Sequence, residues 1–191
     1  MKLEMSTTWM PIINPGLYWG ELGNYYNDIH PDYCSDFKKA ICEYGTESIN
    51  EALSWISADF GEMKVLNTEF KSEFYNFSYD WLEFTLDVPN NLPEIIFRDY
   101  KRKSAEFLEY ASKRYGSRSG FVSFMPYEKE NFESAILLKN YDLSMAIAMY
   151  LMFAIENSGE NLYELQDRFE DSVAEEGNRN GWYDYYGEEL E

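Results

Sequence analysis

Apolar and polar residues alternate clearly in one stretch of this chain, from Trp81 to Val88, and this spacing predicts a strand with one buried face. The preceding stretch, Val65 to Tyr79, is rich in aromatic residues and can supply one or two antiparallel partners. Register follows from the alternation, because a slip of one residue would expose every apolar side chain. We expect the buried face to contain Leu82, Phe84, Leu86 and Val88.

Elsewhere apolar residues recur at spacings of three and four residues, which predicts helices. The first runs from Tyr33 to a stop at Gly45. The second begins where Ser48 and Glu51 have the spacing of a capping box, and it ends at Gly61. Three more are predicted over about Glu94 to Tyr115, Leu143 to Glu156 and Glu160 to Glu176.

Together these elements predict an α+β fold, in which a small antiparallel sheet packs with about five helices and the C-terminal third is helical. The segment from Leu143 to Glu156 is apolar nearly all round, so we expect it at the centre of the core. A short strand is predicted at Phe121 to Met125, and residues 1–30 are expected to be irregular or short-stranded. The domain is predicted to cover residues 1–176, followed by an acidic, aromatic tail over residues 177–191.

The composition is that of a folded protein, since 45% of the residues are hydrophobic and 18% are aromatic. No apolar run has the length needed to span a bilayer, and the first residues lack the apolar stretch of a secretory signal. We therefore expect a cytoplasmic protein. Cys34 and Cys42, eight positions apart in a predicted helix, are too far from each other for a disulfide.

Candidate chemistry is sparse. His30 is the only histidine and stands beside Pro31 in a predicted loop, which excludes mechanisms that need two histidines. One histidine and two separated cysteines do not form a zinc site. The segment Gly116 to Gly120 follows a helix and lacks the lysine of a phosphate-binding loop. We expect no enzymatic activity, no metal and no cofactor.

Charge is the strongest signal in the sequence. The net charge is −19, from 35 acidic and 16 basic residues. From Glu156 to Glu191 there are twelve acidic residues and two basic ones, whereas Arg98 to Arg118 holds seven basic residues and three acidic ones. Such a surface disfavours direct binding of nucleic acid and of anionic membranes, and it attracts basic proteins.

Acidic residues of the last predicted helix fall on one face. At 100° per residue, five carboxylates lie within about 80° of one another. They are Glu160, Glu164, Asp167, Asp171 and Glu175. The apolar residues Leu162, Leu165, Phe169 and Val173 lie opposite them. This acidic face contains three like-charge i,i+4 pairs, each costing about 0.2–0.5 kcal/mol, and it extends over roughly 22 Å.

Two interpretations of this face remain open at this point. An acidic helix face and tail can simply keep a protein soluble. Alternatively, they imitate a phosphate backbone or plug the basic groove of a partner. Trp182, Tyr183, Tyr185 and Tyr186 of the tail favour this interpretation, since interfaces are enriched in aromatic residues. In that case the partner-binding residues are the five carboxylates together with Trp182, Asp184, Glu188 and Glu189.

Two segments of the chain resemble small uncharacterised proteins of bacteriophages and mobile elements: Phe74 to Val88, and Tyr115 to Phe124. In charge the chain is also similar to the acidic DNA-mimic antirestriction proteins. The resemblance implies a phage-like origin and carries over no binding residues. The charge distribution leads us to expect a non-enzymatic anti-defence inhibitor that binds a basic host protein. A structural or assembly protein, and an immunity protein that neutralises a basic nuclease toxin, are the alternatives.

Overall fold

Three antiparallel strands form a sheet in the order β1–β3–β2. The computed structural model describes residues 1–15, 34–75, 77–115 and 141–182. Both β1 (Lys2–Ser6) and β2 (Lys64–Tyr75) pair with β3 (Phe77–Asp87). The strand with the clearest alternation is therefore the central one, and β1 near the N-terminus is an edge strand.

The predicted phase of β3 is confirmed. Leu82, Phe84 and Leu86 are buried, as is Val88 directly after the strand, whereas Glu83 and Asp87 are exposed. On the other face of the sheet the exposed residues include Lys2, Glu4, Asn67, Glu69, Glu83 and Asp87. Leu66, at the irregularity between Val65 and Asn67, is an exposed apolar residue of β2. One face is therefore in the core and the other is solvated, as is common for antiparallel sheets.

A single helix, α1 (Cys34–Ser54), occupies the region where a stop at Gly45 was predicted, so that prediction is wrong. A Cβ built on Gly45 would lie 2.6 Å from Leu82 Cδ1 and 3.3 Å from Ile13 Cδ1. This glycine permits close approach of the helix to the sheet instead of ending the helix. Ser48 is buried inside α1 and does not cap a second helix, and only the short α2 (Ser57–Phe60) follows.

Polar side chains of α1 lie along β2 at the edge of the sheet. Asn50 Oδ1 accepts a hydrogen bond from the Val65 N–H at 2.8 Å. One helical turn earlier, the hydroxyl oxygens of Thr46 and Thr68 are 2.7 Å apart. The helix thereby provides partners for a strand edge that would otherwise be open to pairing with another chain.

The next two helices supply most of the remaining core. α3 (Leu92–Tyr115) confirms the predicted helix and has a kink at Lys103, where φ is −115° and ψ is 20°. In α4 (Tyr141–Glu156), every side chain from Ile147 to Phe153 is buried. The prediction that this segment is a core helix is therefore confirmed for its described side chains.

The last helix, α5 (Leu162–Asn180), continues beyond the predicted end at Glu176. Gly177 lies on its buried face, Gly181 ends it with φ of 65°, and Trp182 is buried. Residues 177–182, which were predicted to belong to the tail, therefore continue α5 and its packing on the core. The predicted strand Phe121 to Met125, His30 and the tail after Trp182 lie outside the described residues. The fold class is α+β, as predicted.

Candidate functional site

The helix α5 is fixed at both ends. At its start the Asn161 side chain accepts hydrogen bonds from the backbone N–H groups of Tyr163 and Glu164, at 3.1 and 3.4 Å. At its end Gly181 adopts the left-handed conformation that commonly terminates helices. The following Trp182 packs edge-on against Phe37 of α1, with ring centroids 6.2 Å apart. These contacts hold the helix in one orientation on the domain.

The predicted division of α5 into two faces is confirmed. Its inward face consists of Leu165, Phe169, Val173 and Gly177, all of them buried. The outward face carries four exposed carboxylates, which we call the acidic stripe: Glu164, Asp167, Asp171 and Glu175. Because the apolar face is anchored in the core, the stripe is held facing solvent.

Glu160 is exposed, but it precedes the N-cap residue Asn161 and so lies outside the helix. Helical geometry does not align it with the stripe, and its predicted like-charge pair with Glu164 is absent. Two i,i+4 pairs remain, Asp167 with Asp171 and Asp171 with Glu175. The helical stripe is accordingly shorter than predicted and extends over about 16 Å.

The two basic residues of α5 are engaged away from the stripe. Arg168 donates two hydrogen bonds to the Glu51 carboxylate of α1, at 2.6 and 3.1 Å. Arg179 Nη1 lies 2.9 Å from a carboxylate oxygen of Glu176. Within the described part of the chain, no stripe carboxylate lies within 4.0 Å of a lysine or arginine nitrogen. Within the described residues, the stripe is therefore not neutralised by a salt bridge.

The other predicted binding residues do not join this surface. Trp182 is only 3% exposed and belongs to the core, because its ring fills the space beside Phe37. Its predicted role in binding a partner is therefore not supported by its position. Asp184, Glu188 and Glu189 lie outside the described residues.

Tyr163 is an exposed aromatic residue that the sequence analysis did not single out. Its exposure is 85%, and it lies in the first turn of α5 between the stripe residues Glu164 and Asp167 and the N-cap. The exposure of Tyr163 could have been predicted from helical spacing, because that spacing places position 163 away from the buried Leu165 and Phe169. Tyr163 rather than Trp182 is the aromatic side chain that a partner of the stripe can reach.

The basic helix α3 is largely paired within the domain. Lys113 Nζ lies 2.6 Å from a Glu109 oxygen, and Arg114 forms an ion pair with Glu156 of α4. Lys101 Nζ stands over the Phe97 ring, 4.5 Å from its centroid. These contacts give the local positive charge a structural role.

Arg102 and Lys103 both bind Asp99, which lies at the border of the core. Their nitrogens are 2.7 and 3.4 Å from its carboxylate oxygens, and the Tyr150 hydroxyl donates to Oδ2 at 2.7 Å. Burial by itself would raise the pKa of Asp99, but the Tyr150 hydrogen bond and the two cations outweigh it, so the pKa is lowered. Burial, followed by the hydrogen bond to Asp99, raises the pKa of Tyr150. Asp99 is therefore a carboxylate stabilised by Tyr150, Arg102 and Lys103.

The described residues form neither a metal site nor a membrane-spanning helix. In residues 1–15, 34–75, 77–115 and 141–182, no three histidine, cysteine, aspartate or glutamate residues are grouped as a metal site requires. No helix of the described chain combines the length and apolarity that crossing a membrane demands. The surface that stands out in the described structure is therefore the acidic stripe with Tyr163.

Comparison with known proteins adds no family to this picture. The chain matches no protein-family model, no curated protein and no solved structure.

Proposed function

We propose that this protein is a non-enzymatic acidic inhibitor that acts as a DNA-mimic-like decoy in the host cytoplasm. Its partner would be a host defence protein or another nucleic-acid-binding protein, whose basic groove it occupies. The observation that carries this proposal is the acidic stripe: four exposed carboxylates on one face of a capped helix, with the neighbouring arginines bound elsewhere. A groove lined by lysine and arginine has the charge complementary to this face.

The energetic cost of placing like charges next to each other in the stripe supports a role beyond solubility. The two like-charge pairs of the stripe destabilise α5 by about 0.2–0.5 kcal/mol each. Glutamine, serine or lysine at these positions would give an equally solvated face without that cost. Glu164 is the exception, since a carboxylate in the first turn interacts favourably with the helix dipole.

The spacing of charges along the stripe can be compared with the spacing of phosphates along a DNA strand. Four charges over about 16 Å correspond to one charge per roughly 5 Å of axis, compared with about 3.4 Å per phosphate along one DNA strand. The stripe is therefore sparser than a DNA strand. The net charge of −19 adds a long-range field that accelerates encounter with a basic partner and repels free nucleic acid.

Tyr163 can contribute an aromatic contact that the carboxylates of the stripe do not provide. Exposed carboxylates at the rim of an interface contribute little net affinity, whereas a tyrosine buried on binding is a common anchor. Its ring can also stack against an arginine of a nucleic-acid groove. The stripe and Tyr163 together form a charged face with an aromatic anchor at one end.

The test is capture from a host lysate at low salt with three immobilised proteins. These are the native protein, a stripe variant (Asp167→Asn, Asp171→Asn and Glu175→Gln) and a charge-matched control with exposed carboxylates removed elsewhere (Asp59→Asn, Glu62→Gln and Glu106→Gln). We expect a basic protein retained by the native protein and the control, lost from the stripe variant, and released by added duplex DNA. Equal retention by the stripe variant and the control would contradict the proposal. So would a partner that holds DNA and this protein at the same time.

A further inference from the structure

The last residue of α5 is followed by a glycine, and Asn180–Gly181 is the only asparagine–glycine pair in the sequence. Both residues are exposed, and within the described chain a Cβ built on Gly181 would meet no atom within 4 Å beyond its chain neighbours. This pair is the one most prone to deamidation, because glycine has no side chain to keep its backbone nitrogen away from the asparagine amide carbon. The pair is therefore a candidate site of spontaneous modification.

Deamidation of such a pair needs water and no other reactant. The Gly181 nitrogen loses its proton and attacks Cγ of Asn180, the bond from Cγ to Nδ2 breaks, and Nδ2 leaves as ammonia. The resulting succinimide ring is opened by water at either carbonyl, which gives aspartate or isoaspartate. An amide and a water molecule thus become a carboxylic acid and ammonia, without oxidation or reduction.

The native conformation of the last turn of α5 opposes this attack. Ring closure brings Cγ of Asn180 and the following backbone nitrogen together, whereas the helical backbone angles of Asn180 hold them apart. The backbone must therefore rotate at Asn180. That rotation disrupts two hydrogen bonds that close the helix, from the Gly181 N–H to the Asn178 carbonyl at 3.4 Å and from the Trp182 N–H to the Gly177 carbonyl at 3.0 Å.

Trp182 stabilises this turn from outside the helix. It is 3% exposed and packs edge-on against Phe37 of α1. As long as its ring is buried there, the residues just before it are held in place. Attack at Asn180 therefore requires a local opening of the helix end, of the kind by which helices fray in the native state.

The product fits the turn less well than asparagine does. Nδ2 of Asn180 donates to the carbonyl oxygen and to Oε1 of Glu176, both at 2.9 Å. The other carboxylate oxygen of Glu176 accepts from Arg179 and from the Tyr44 hydroxyl, at 2.9 and 3.3 Å. An aspartate at position 180 replaces the donor by a second carboxylate, at the helix end where negative charge is unfavourable. Isoaspartate also lengthens the backbone just before Trp182.

We propose that Asn180 is a site of spontaneous deamidation, which proceeds when the last turn of α5 opens and which then permanently weakens the packing of Trp182 on α1. Burial of Trp182 protects the site before the reaction, and the lost contacts to Glu176 keep the turn from closing as firmly afterwards. The modification site is separate from the acidic stripe and does not depend on the proposed function.

The rate of the reaction tests the protection. The full chain is incubated at mildly alkaline pH in its native state and in urea, and peptide mass spectrometry follows the conversion of Asn180. The same measurement is made on native Trp182→Ala and on Ile147→Ala, which truncates a buried side chain in α4. Circular dichroism confirms that both variants are folded under these conditions.

We expect the native protein to deamidate more slowly than the unfolded chain. Trp182→Ala should raise the native rate by about tenfold or more, because the turn is no longer held closed, and Ile147→Ala should stay within about twofold of native. A native rate equal to that of the unfolded chain would overturn the proposal. Equal rates in the two variants would do the same, as would a Trp182→Ala protein without product at Asn180 after the unfolded chain has been converted.

The variant Asn180→Asp tests the consequence of the reaction, with Asn178→Asp as a charge-matched control on an exposed residue of the same turn. Hydrogen exchange is measured by mass spectrometry on the peptide that contains the Gly181 and Trp182 amides. Exchange should be faster in Asn180→Asp by about fivefold or more, as the loss of a hydrogen bond implies, and closer to native in the control. If Asn180→Asp exchanges like the native protein or like the control, deamidation does not loosen this turn.

Discussion

Gly45 of α1 lies so close to Leu82 of β3 that a Cβ on the glycine would be 2.6 Å from Leu82 Cδ1. Leu82 has no exposed surface, and Ile13 Cδ1 would stand 3.3 Å from the same Cβ. Neither side chain can move away into solvent. The distance between α1 and the central strand is therefore set by the absence of a side chain at position 45.

Gly45→Ala should destabilise the protein although it improves helix propensity. Alanine in a helix interior is favoured over glycine by about 1 kcal/mol, whereas overpacking a core costs about 1–3 kcal/mol. We expect a net loss of up to about 2 kcal/mol in the free energy of unfolding, measured with urea.

The control is the same substitution in a Leu82→Val background, where the clashing Cδ1 is removed. There Gly45→Ala should be neutral or stabilising, and the double-mutant cycle should show a coupling energy between the two sites. If the cost of Gly45→Ala is the same in both backgrounds, the close approach to Leu82 is not its cause.

The interior of α4 should respond to truncation as a close-packed core does. Ile147 and Leu151 have no exposed surface. Replacing either with alanine should lower the free energy of unfolding by about 2–5 kcal/mol. Leu66→Ala is the matched control, because Leu66 is 49% exposed and its truncation should cost far less. Similar losses at Leu66 and Leu151 would contradict the burial of α4.

Sequence periodicity predicted the elements that keep one face buried and the opposite face exposed along their whole length. The alternation through Leu82, Phe84 and Leu86 was sufficient because a strand with one buried face has only two possible phases. The faces of α5 were predictable for the same reason, since Leu165, Phe169 and Val173 repeat at helical spacing.

Positions where tertiary contacts override local preference could not be predicted in this way. Gly45 carries a helix-stop signal, but its lack of a side chain is used to bring α1 against the sheet. Gly177 carries the same signal and lies on the buried face of α5. The sequence places Trp182 in the tail because it predicts an earlier end of the helix, and the contact of Trp182 with Phe37 is remote in sequence. Such contacts depend on the packed structure, which one sequence does not display.

Tyr150→Phe should destabilise the protein by about 1–3 kcal/mol near neutral pH, because Asp99 Oδ2 loses the buried hydrogen bond from the Tyr150 hydroxyl. The pKa of Asp99 is lowered in the folded state, so its stabilising contribution is present above the ordinary value of 3.8 and is lost as the pH falls through the folded value. The difference between the variant and the native protein should therefore shrink in acid. Urea unfolding at about pH 7 and about pH 3 measures both.

Tyr100→Phe is the control for this experiment. It removes a hydroxyl from a neighbouring ring in the same aromatic cluster, 6.3 Å from the Tyr150 ring between centroids. Tyr100→Phe should cost less, and its effect should not follow the titration of Asp99. A pH-independent loss in Tyr150→Phe would mean that the hydroxyl acts through packing alone.

The stripe variant should be as stable as the native protein or more stable. Asp167→Asn, Asp171→Asn and Glu175→Gln remove both like-charge i,i+4 pairs, which are worth about 0.4–1 kcal/mol together. Glu164 is left in place because its charge favours the helix start. Thermal unfolding at low salt should show a small gain, and the gain should decrease as salt screens the charges. A clear loss of stability would mean that the stripe has a structural role that its exposure does not suggest.

Binding kinetics should separate the two parts of the proposed interface. Long-range charge mainly sets the association rate, so the stripe variant should bind its captured partner with a lower on-rate and little change in off-rate. That effect should fade as the Debye length falls from about 10 Å at 0.1 M salt to about 3 Å at 1 M. Tyr163→Ala should act differently, because an aromatic anchor contributes after contact is made.

For Tyr163→Ala we expect a faster off-rate and a loss of more than about 1 kcal/mol, or about fivefold in Kd, with an on-rate close to native. Tyr163 is exposed, so its removal should leave the free energy of unfolding unchanged. Differences in binding rates between this variant and the native protein then reflect the interface alone. Surface plasmon resonance at several salt concentrations measures both rates for the two variants. If Tyr163→Ala binds like the native protein while the stripe variant loses binding, the interface consists of charge alone and lies further along α5.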